Sequence, residues 1–392
     1  MITFFGLGNI LGAGIYVLVG KVAGEAGYFA PLAFFVASII AAVSAFTYAE
    51  LSSRYPVSAG VAVYLDEGLS IRVLTIGVGL LITIAAIVST SALAHGFAGY
   101  LAVFFDISAE WILATIILLL GALAIWGIAV SVLVAAIFTI IELIGLLIIT
   151  VIGTDYVMSV DVAYTSSMFT LDTLSWAGVF SGAFLAFYAY LGFEDMVNVA
   201  EEVKEPEKNM PRAVIMAVII STLLYAAVST VSVLVIEPNQ LAQSKAPLAD
   251  VYEIITNEKP VLLSIIGLFA VINGALIQII MASRLLYGMS SKQWLPGFLS
   301  DINSYTKTPV NATLLVTFIV LILSLLFHLV TLAQITSYIV LSVFTLVNLS
   351  LIKIKLDKPT PDNVRVYSIW IPVTGFITTL LFIVIEIYGQ LF

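Results

Sequence analysis

Between Trp111 and Gly153 the chain runs through 43 residues with one charged side chain, Glu142. As a single helix, rising about 1.5 Å per residue, this run would be roughly 65 Å long, about twice the thickness of a bilayer's hydrocarbon core. It has no polar face to present to water. It must therefore cross a membrane, fold back near Gly127 and cross again. The whole chain of 392 residues shares this character: 61% is hydrophobic and only 10% charged, against roughly 45–50% and 25% in soluble domains. Cutting at charged and proline-bearing breaks predicts eleven spans, near 2–22, 30–52, 73–105, 111–129, 131–153, 174–199, 212–236, 260–289, 309–329, 332–353 and 367–391. No linker divides them, so one all-α polytopic domain embedded in membrane lipid is expected. No Lys or Arg precedes the first apolar run, which reads as a retained helix rather than a signal peptide.

Several classes of function drop out on composition. The net charge is −9, but the acids are scattered through loops and form no like-charged tail, so no nucleic-acid partner is implied. With no cysteine and two histidines, the chain offers no disulfide framework, thiol nucleophile, thiolate metal site or histidine cluster. No cofactor is expected. Basic residues accumulate in cytoplasmic loops. With the N-terminus inside, only Lys21, Lys245 and Lys259 of the 15 Lys and Arg fall outside. This predicts a cytoplasmic N-terminus in a multi-pass protein of the cell (cytoplasmic) membrane.

Two spans are poorly built as helices. The first contains GLGNILGAGIYVLVG, Gly6 to Gly20, with five glycines; the sixth contains FSGAFLAFYAYLGFEDMVNVAEEV, Phe180 to Val203. They lie five spans apart, so they cross in opposite directions, as two five-helix repeats of inverted topology would place them: 1–153 and 174–353, with 367–391 as an additional helix. Interrupted spans at matching positions of two halves point to a transporter's binding site. Unwinding in mid-membrane frees backbone groups that are tolerated only where they line a cavity. Taken alone, Gly8 and Gly12 also read as a GxxxG packing pair. Gly6, Gly8 and Gly12 imitate a dinucleotide fingerprint as well, but no strand precedes them and no acid follows about 20 residues on.

Four stretches together resemble the amino acid–polyamine–organocation (APC) superfamily of amino acid permeases. GLGNILGAGIYVLVGKVAGEAG is similar to its first-helix signature, and AFTYAELSSRYPVSAGVAVYLDEGLS, with Glu50, Pro56, Ser58, Gly60 and Tyr64, to its second-helix and loop signature. GFEDMVNVAEEVKEPEKNMPRA resembles the junction of helices 6 and 7, and ASRLLYGMS the end of helix 8. The resemblance implies the LeuT-type fold and secondary active transport of amino acids or related amines by alternating access, with proton coupling or exchange. Backbone N–H groups at the helix 1 break, around Gly12, Ala13, Gly14 and Ile15, would hold a substrate carboxylate, as a half-helix N-terminus can. Carbonyls near Phe187, Tyr188 and Ala189 would accept from the substrate amine. The rings of Phe187, Tyr188 or Tyr190 would form a gate or a wall, the plain alternative being ordinary packing. The family usually carries an N-terminal cytoplasmic tail and a twelfth helix, whereas this sequence starts inside the first helix and stops with the eleventh.

Charges inside spans are costly and ask for a reason. Glu142, mid-helix 5, lies at or beside the position where proton-dependent members of the superfamily can carry a lysine. A carboxylate there could exchange a proton as the core opens and closes, or stay neutral and bond a neighbouring helix. The coupling ion is expected to be H+, with Na+ left open. Glu194 and Asp195, directly after the helix 6 break, read as gate or proton-accepting residues, or as a solvated helix end. Asn273 and Gln278 on helix 8 could reach a substrate or bridge helices. Ser89, Thr90 and Ser91 are similar, and their hydroxyls can also bond back to their own helix. His95 reads as a hydrogen-bonding residue, and Arg284 as the partner of an acidic gate residue. The chain lacks the nucleophile–base pair or metal cluster of an enzyme. The rival reading is a non-transporting amino-acid sensor or partner subunit with a transporter fold; a homodimer is kept open. A neutral or aromatic substrate is mildly favoured, because few acids lie near the breaks.

Overall fold

Within a bilayer each segment must satisfy its own backbone, which favours helices. The computed structural model describes residues 2–12, 14–57, 60–127, 132–159, 174–358 and 364–391. These residues form α1 (Ile2–Leu11), α2 (Gly14–Ala26), α3 (Ala30–Arg54), α4 (Gly60–Leu69), α5 (Arg72–Leu101), α6 (Ala109–Trp126), α7 (Val132–Ser159), α8 (Trp176–Phe187), α9 (Pro206–Val235), α10 (Pro238–Gln243), α11 (Pro247–Thr256), α12 (Val261–Ser291), α13 (Val310–Leu326), α14 (Leu329–Asp357) and α15 (Trp370–Leu391). Among the described residues nine helical segments are long and apolar enough to cross a membrane. One of them, Ile2–Arg54, contains two crossings, divided by a 3-10 turn at Gly27–Phe29 where Gly27 has φ +60. The shorter α13 is also apolar. Each of the eleven expected spans therefore has a helical counterpart, and the chain is an all-α, multi-pass membrane protein. Leu118, Leu119, Ile144, Leu147, Phe318 and Leu381 stand exposed on its outside, an apolar band suited to lipid.

The fold-back expected near Gly127 is there: α6 ends at Trp126, and Gly127, at φ +83, donates to the carbonyls of Ala124 and Leu123. Glycine takes this left-handed cap without the Cβ penalty other residues meet. The seventh span starts earlier than its apolar run suggested, because Pro206 fits the first helical turn. Pro211 inside that helix lacks the N–H that would serve the Glu207 carbonyl. The Ser53 hydroxyl of α3 donates to that carbonyl instead, at 2.7 Å.

Helix neighbours follow an exchange pattern. α1 packs on α9 as α8 packs on α3, and α1 on α7 as α8 on α14. Likewise α5 meets α14 and α13 as α12 meets α7 and α6, and α7 meets α9 as α14 meets α3. Outside the crossings, α10 and α11 lie over α2. There Lys21 Nζ donates to the Ala242 carbonyl. A Cβ on Gly99 would strike the Lys245 carbonyl carbon at 2.9 Å, so the α10–α11 connection lies directly on α5 as well.

Candidate functional site

The two interrupted spans meet. α1 stops at Leu11, where the Gly12 amide still donates to the Gly8 carbonyl at 3.1 Å, and α2 begins at Gly14. Ala13, an expected substrate contact, lies outside the described residues. In the sixth span α8 ends at Phe187, a 3-10 turn covers Tyr188–Tyr190, Leu191 is extended and Gly192 has φ +124. The left-handed glycine of the pair of breaks is thus Gly192, whereas Gly12 is not in that region. A Cβ on Gly14 would strike the Cα and Cβ of Ala189, and one on Gly192 would lie 2.6 Å from the carbonyl carbon of Asn9. Glycine at these two positions lets backbone touch backbone. Gly14 therefore serves the contact between the two breaks. Gly6 packs against Met196, whose Cε would lie 2.8 Å from a Cβ added there.

Helix 7 ties the two breaks together. The Tyr225 hydroxyl on α9 lies 2.7 Å from the Ile10 carbonyl and 2.8 Å from the Ala189 carbonyl. Both acceptors belong to turns in which the regular ladder has been interrupted. One hydroxyl proton faces two carbonyls, so a second donor could be accommodated there.

On the other side of the first break stands Glu142 of α7, fully buried. Its Oε1 would be 3.4 Å from a Cβ on Gly12, and the Ala270 carbonyl of α12 3.1 Å from it. Asn273, also on α12, donates to Glu142 Oε1 at 3.5 Å. Glu142 Oε2 and Asn273 Oδ1 are buried and have no hydrogen-bond partner among the described residues. The Tyr16 hydroxyl donates to the Glu142 backbone carbonyl at 2.6 Å, and the Tyr100 hydroxyl donates to the Tyr16 carbonyl at 2.8 Å. Glu142, Asn273 and the first break thus form one cluster.

The three expected aromatic residues part company. Tyr188 reaches helix 3, its hydroxyl 2.9 Å from that of Ser89 and 3.1 Å from the Ser89 carbonyl. Tyr190 turns towards α3 and α9, donating to the Phe34 carbonyl at 3.1 Å with its ring 5.0 Å from that of Tyr225. The Phe187 ring packs edge-on against Phe344 of α14 at 5.9 Å. The Tyr188 carbonyl accepts from the Leu191 amide at 3.2 Å, which leaves Ala189 as the carbonyl turned towards helix 7. Below the break, the Gly192 amide donates to Glu194 Oε2 at 2.8 Å, and Gln278 to Asp195 Oδ2 at 3.3 Å. Asp195 is buried and Glu194 partly so. Neither is a freely solvated helix end. His95 bonds the Phe327 carbonyl at 3.0 Å. Arg284 is exposed and makes no ion pair among the described residues; its expected pairing with the acidic gate is not formed.

Sequence reasoning missed Tyr16, Tyr100 and Tyr225. Their signal was present: a hydroxyl in the middle of an apolar span must find a partner. All three are fully buried, and all three find a backbone carbonyl near the breaks.

Two broken helices set back to back in a multi-pass membrane protein are the arrangement in which membrane carriers build a binding site. The sequence profile of the family described as Amino acid permease matches residues 1–390. The chain belongs to that family and so to the APC superfamily, whose members are permeases and transporters rather than enzymes. It is 29% identical to cationic amino acid transporter 3, mitochondrial, of Arabidopsis thaliana, over 93% of this chain and 62% of that protein. It is 27% identical to the methylthioribose transporter of Bacillus subtilis (strain 168), over 91% of this chain and 80% of that one. The branched-chain amino acid permease BcaP of the same organism is also 27% identical, over 94% and 82%. The chain spans about three fifths of the length of the plant transporter and about four fifths of the bacterial ones.

Proposed function

We propose that the chain is a secondary active transporter of amino acids or related amines, working by alternating access at the two helix breaks. The observation that carries this reading is the convergence of Gly14 on Ala189, Gly192 on Asn9, and the Ile10 and Ala189 carbonyls on one tyrosine hydroxyl. Separation of those contacts would expose N–H groups of the first turn of α2 to a carboxylate. It would also free the two carbonyls for an ammonium group. Gly12, Gly14, Ile15, Ala189 and Tyr188 form the substrate wall in this reading, with Asn273 and Glu142 behind the first break. Relatives named for cationic amino acids, branched-chain amino acids and methylthioribose support a small amine-bearing or thio-substituted solute without choosing among them.

Residues 1–153 and 174–353 are two inverted repeats in this account, supported by the exchanged helix neighbours, with 367–391 added outside them. The basic-residue distribution supports a cytoplasmic N-terminus in the cytoplasmic membrane. Glu142 carries the coupling proton: no cation pairs with it among the described residues, and one of its oxygens accepts no hydrogen bond. Opening of the first break would bring water to it. Counterflow of labelled amino acids in proteoliposomes tests the transport reading. Saturable binding without exchange or accumulation would leave a sensor instead.

A further inference from the structure

We infer that the end of the bundle opposite the α10–α11 cap carries a second binding site, specific for a phosphate group and separate from the helix breaks. A cavity of about 200 Å³ lies where α6, α12 and α13 come together, lined by Gly127, Ser283, Arg284, Lys307, Thr308 and Thr313 among others. At roughly 30 Å³ per water in the liquid, it has room for several waters, and hence for a tetrahedral oxyanion. Its lining includes two cations and no carboxylate. Neither Arg284 nor Lys307 forms an ion pair among the described residues.

The wall bearing Lys307 is held in place. Asn303 Oδ1 accepts from the amides of Tyr305 and Thr306 at 2.9 and 3.2 Å, and the Lys307 amide donates to the Asn303 carbonyl at 3.0 Å. Lys307 sits at φ +58, an uncommon conformation for a residue other than glycine. The Thr308 hydroxyl fastens this loop to the end of α6 through the Ile125 carbonyl at 2.7 Å, and the Thr306 hydroxyl bonds that of Thr308, also at 2.7 Å. The Ser283 and Thr313 hydroxyls donate to the Ile279 and Pro309 carbonyls. With these hydroxyl protons committed, the guanidinium and the ammonium are the free side-chain donors of the cavity among the described residues. They are the two groups best suited to a phosphate, one as a fork and one as a point charge.

The rim suggests how a lipid would deliver that group. Leu123 and Leu314, next in sequence to the lining residues Ala124 and Thr313, are 37% and 53% exposed, and Trp126 is 79% exposed. Such residues suit acyl chains below a headgroup and a tryptophan at the interface. Basic pockets between membrane helices on the cytoplasmic side take anionic headgroups, and this is the end that the distribution of basic residues assigns to the cytoplasm. The recognised group is a phosphate mono- or diester, from an anionic phospholipid or from free phosphate.

The test compares the purified full chain with the double variant Arg284→Ala/Lys307→Ala and with Lys204→Ala/Lys353→Ala, which removes two exposed cations elsewhere. Retention of phosphatidylglycerol over phosphatidylcholine is read by native mass spectrometry. Thermal protection by inorganic phosphate is read in lipid-free detergent. At about fivefold per basic residue, the first double variant should lose roughly 25-fold in preference for the anionic lipid, and the control should lose little. Protection by phosphate alone, lost in the same variant, would assign the site to the free ion. If the double variant fails to fold, the single Arg284→Gln and Lys307→Gln changes serve. Equal loss in both double variants, or no preference in the unaltered chain for either ligand, overturns the assignment.

Discussion

Removing one oxygen, with Tyr225→Phe, separates the substrate-site reading from mere packing. In the closed arrangement the Tyr225 hydroxyl is the side-chain donor to the Ile10 and Ala189 carbonyls, at 2.7 and 2.8 Å. Phenylalanine keeps the ring and its contacts with Phe34 and Tyr190, at 5.7 and 5.0 Å. The loss is therefore electrostatic rather than steric. A buried acceptor stripped of its donor costs about 1–3 kcal/mol. Because a single proton is shared, we assign that range to the pair together. The empty protein should lose that much stability, read as a fall in its thermal midpoint in detergent.

The informative measurement is the difference made by ligand. If a substrate ammonium supplies donors to these carbonyls, the bound state of the variant is repaired while its empty state is not. Ligand should then bind about 5- to 150-fold tighter than to the unaltered chain, the same 1–3 kcal/mol read as affinity. Leucine, arginine and methylthioribose are suitable trial ligands, read by thermal shift and by equilibrium binding. An equal loss of stability with and without each ligand that binds would refute the reasoning. The two carbonyls would then be structural, and the site would lie elsewhere.

Three further outcomes follow from the same geometry. Glu142→Gln keeps the bond to Asn273 within reach but removes the exchangeable proton, so uptake should lose its dependence on external pH while exchange persists; an unchanged pH profile would remove the proton role. Gly14→Ala places a methyl group on Ala189 and should cost at least tenfold in substrate affinity with membrane insertion intact, and Ala189→Gly should restore part of the loss, since the clash involves Cα as well as Cβ. Glu50→Gln leaves Arg54 and Lys355, each 2.7 Å from Glu50 Oε1 and nearly fully buried, without their counter-charge; breaking a buried pair costs about 3–5 kcal/mol, which a thermal midpoint close to that of the unaltered chain would contradict.

What the sequence made legible depended on the range of the interaction. The spans were readable because hydrocarbon thickness sets their length and each is apolar on its own. Gly127 and the glycines of the first span announced their breaks locally. Glu142 stood out because a charge in an apolar run needs a reason, and its nearness to Asn273 and Gly12 joins residues on α7, α12 and the first span. No single-sequence pattern encodes that contact. Tyr225 announced the need for a partner but not which one, for the same reason: its partners are the backbone carbonyls of Ile10 and Ala189, groups that every residue possesses. Which of Phe187, Tyr188 and Tyr190 faces which neighbour was not legible in the sequence either. Once the helix changes to a 3-10 turn, successive rings no longer follow the helical spacing, and only Tyr188 is directed to Ser89.

In the proposed mechanism, the first span is where substrate and proton would depend on each other. Its short break touches Ala189 through Gly14 and lies beside Glu142 through Gly12, and its flanking turns bond to Tyr225 and Tyr100 through the carbonyls of Ile10 and Tyr16. Any tilt of α1 away from α2 must alter these contacts together, because they are held by a few residues of one chain segment. In the proposed mechanism, a ligand that replaced Tyr225 at the carbonyls would therefore change the surroundings of Glu142 without touching it. Linkage then requires the converse: the protonation of Glu142 changes ligand affinity by the same factor. Coupling of this kind needs no direct contact between the two sites, only an element with two arrangements that both of them bias. The proposed mechanism gives that role to the broken first helix, whose contacts with the sixth-span break are backbone contacts, with no ion pair there among the described residues.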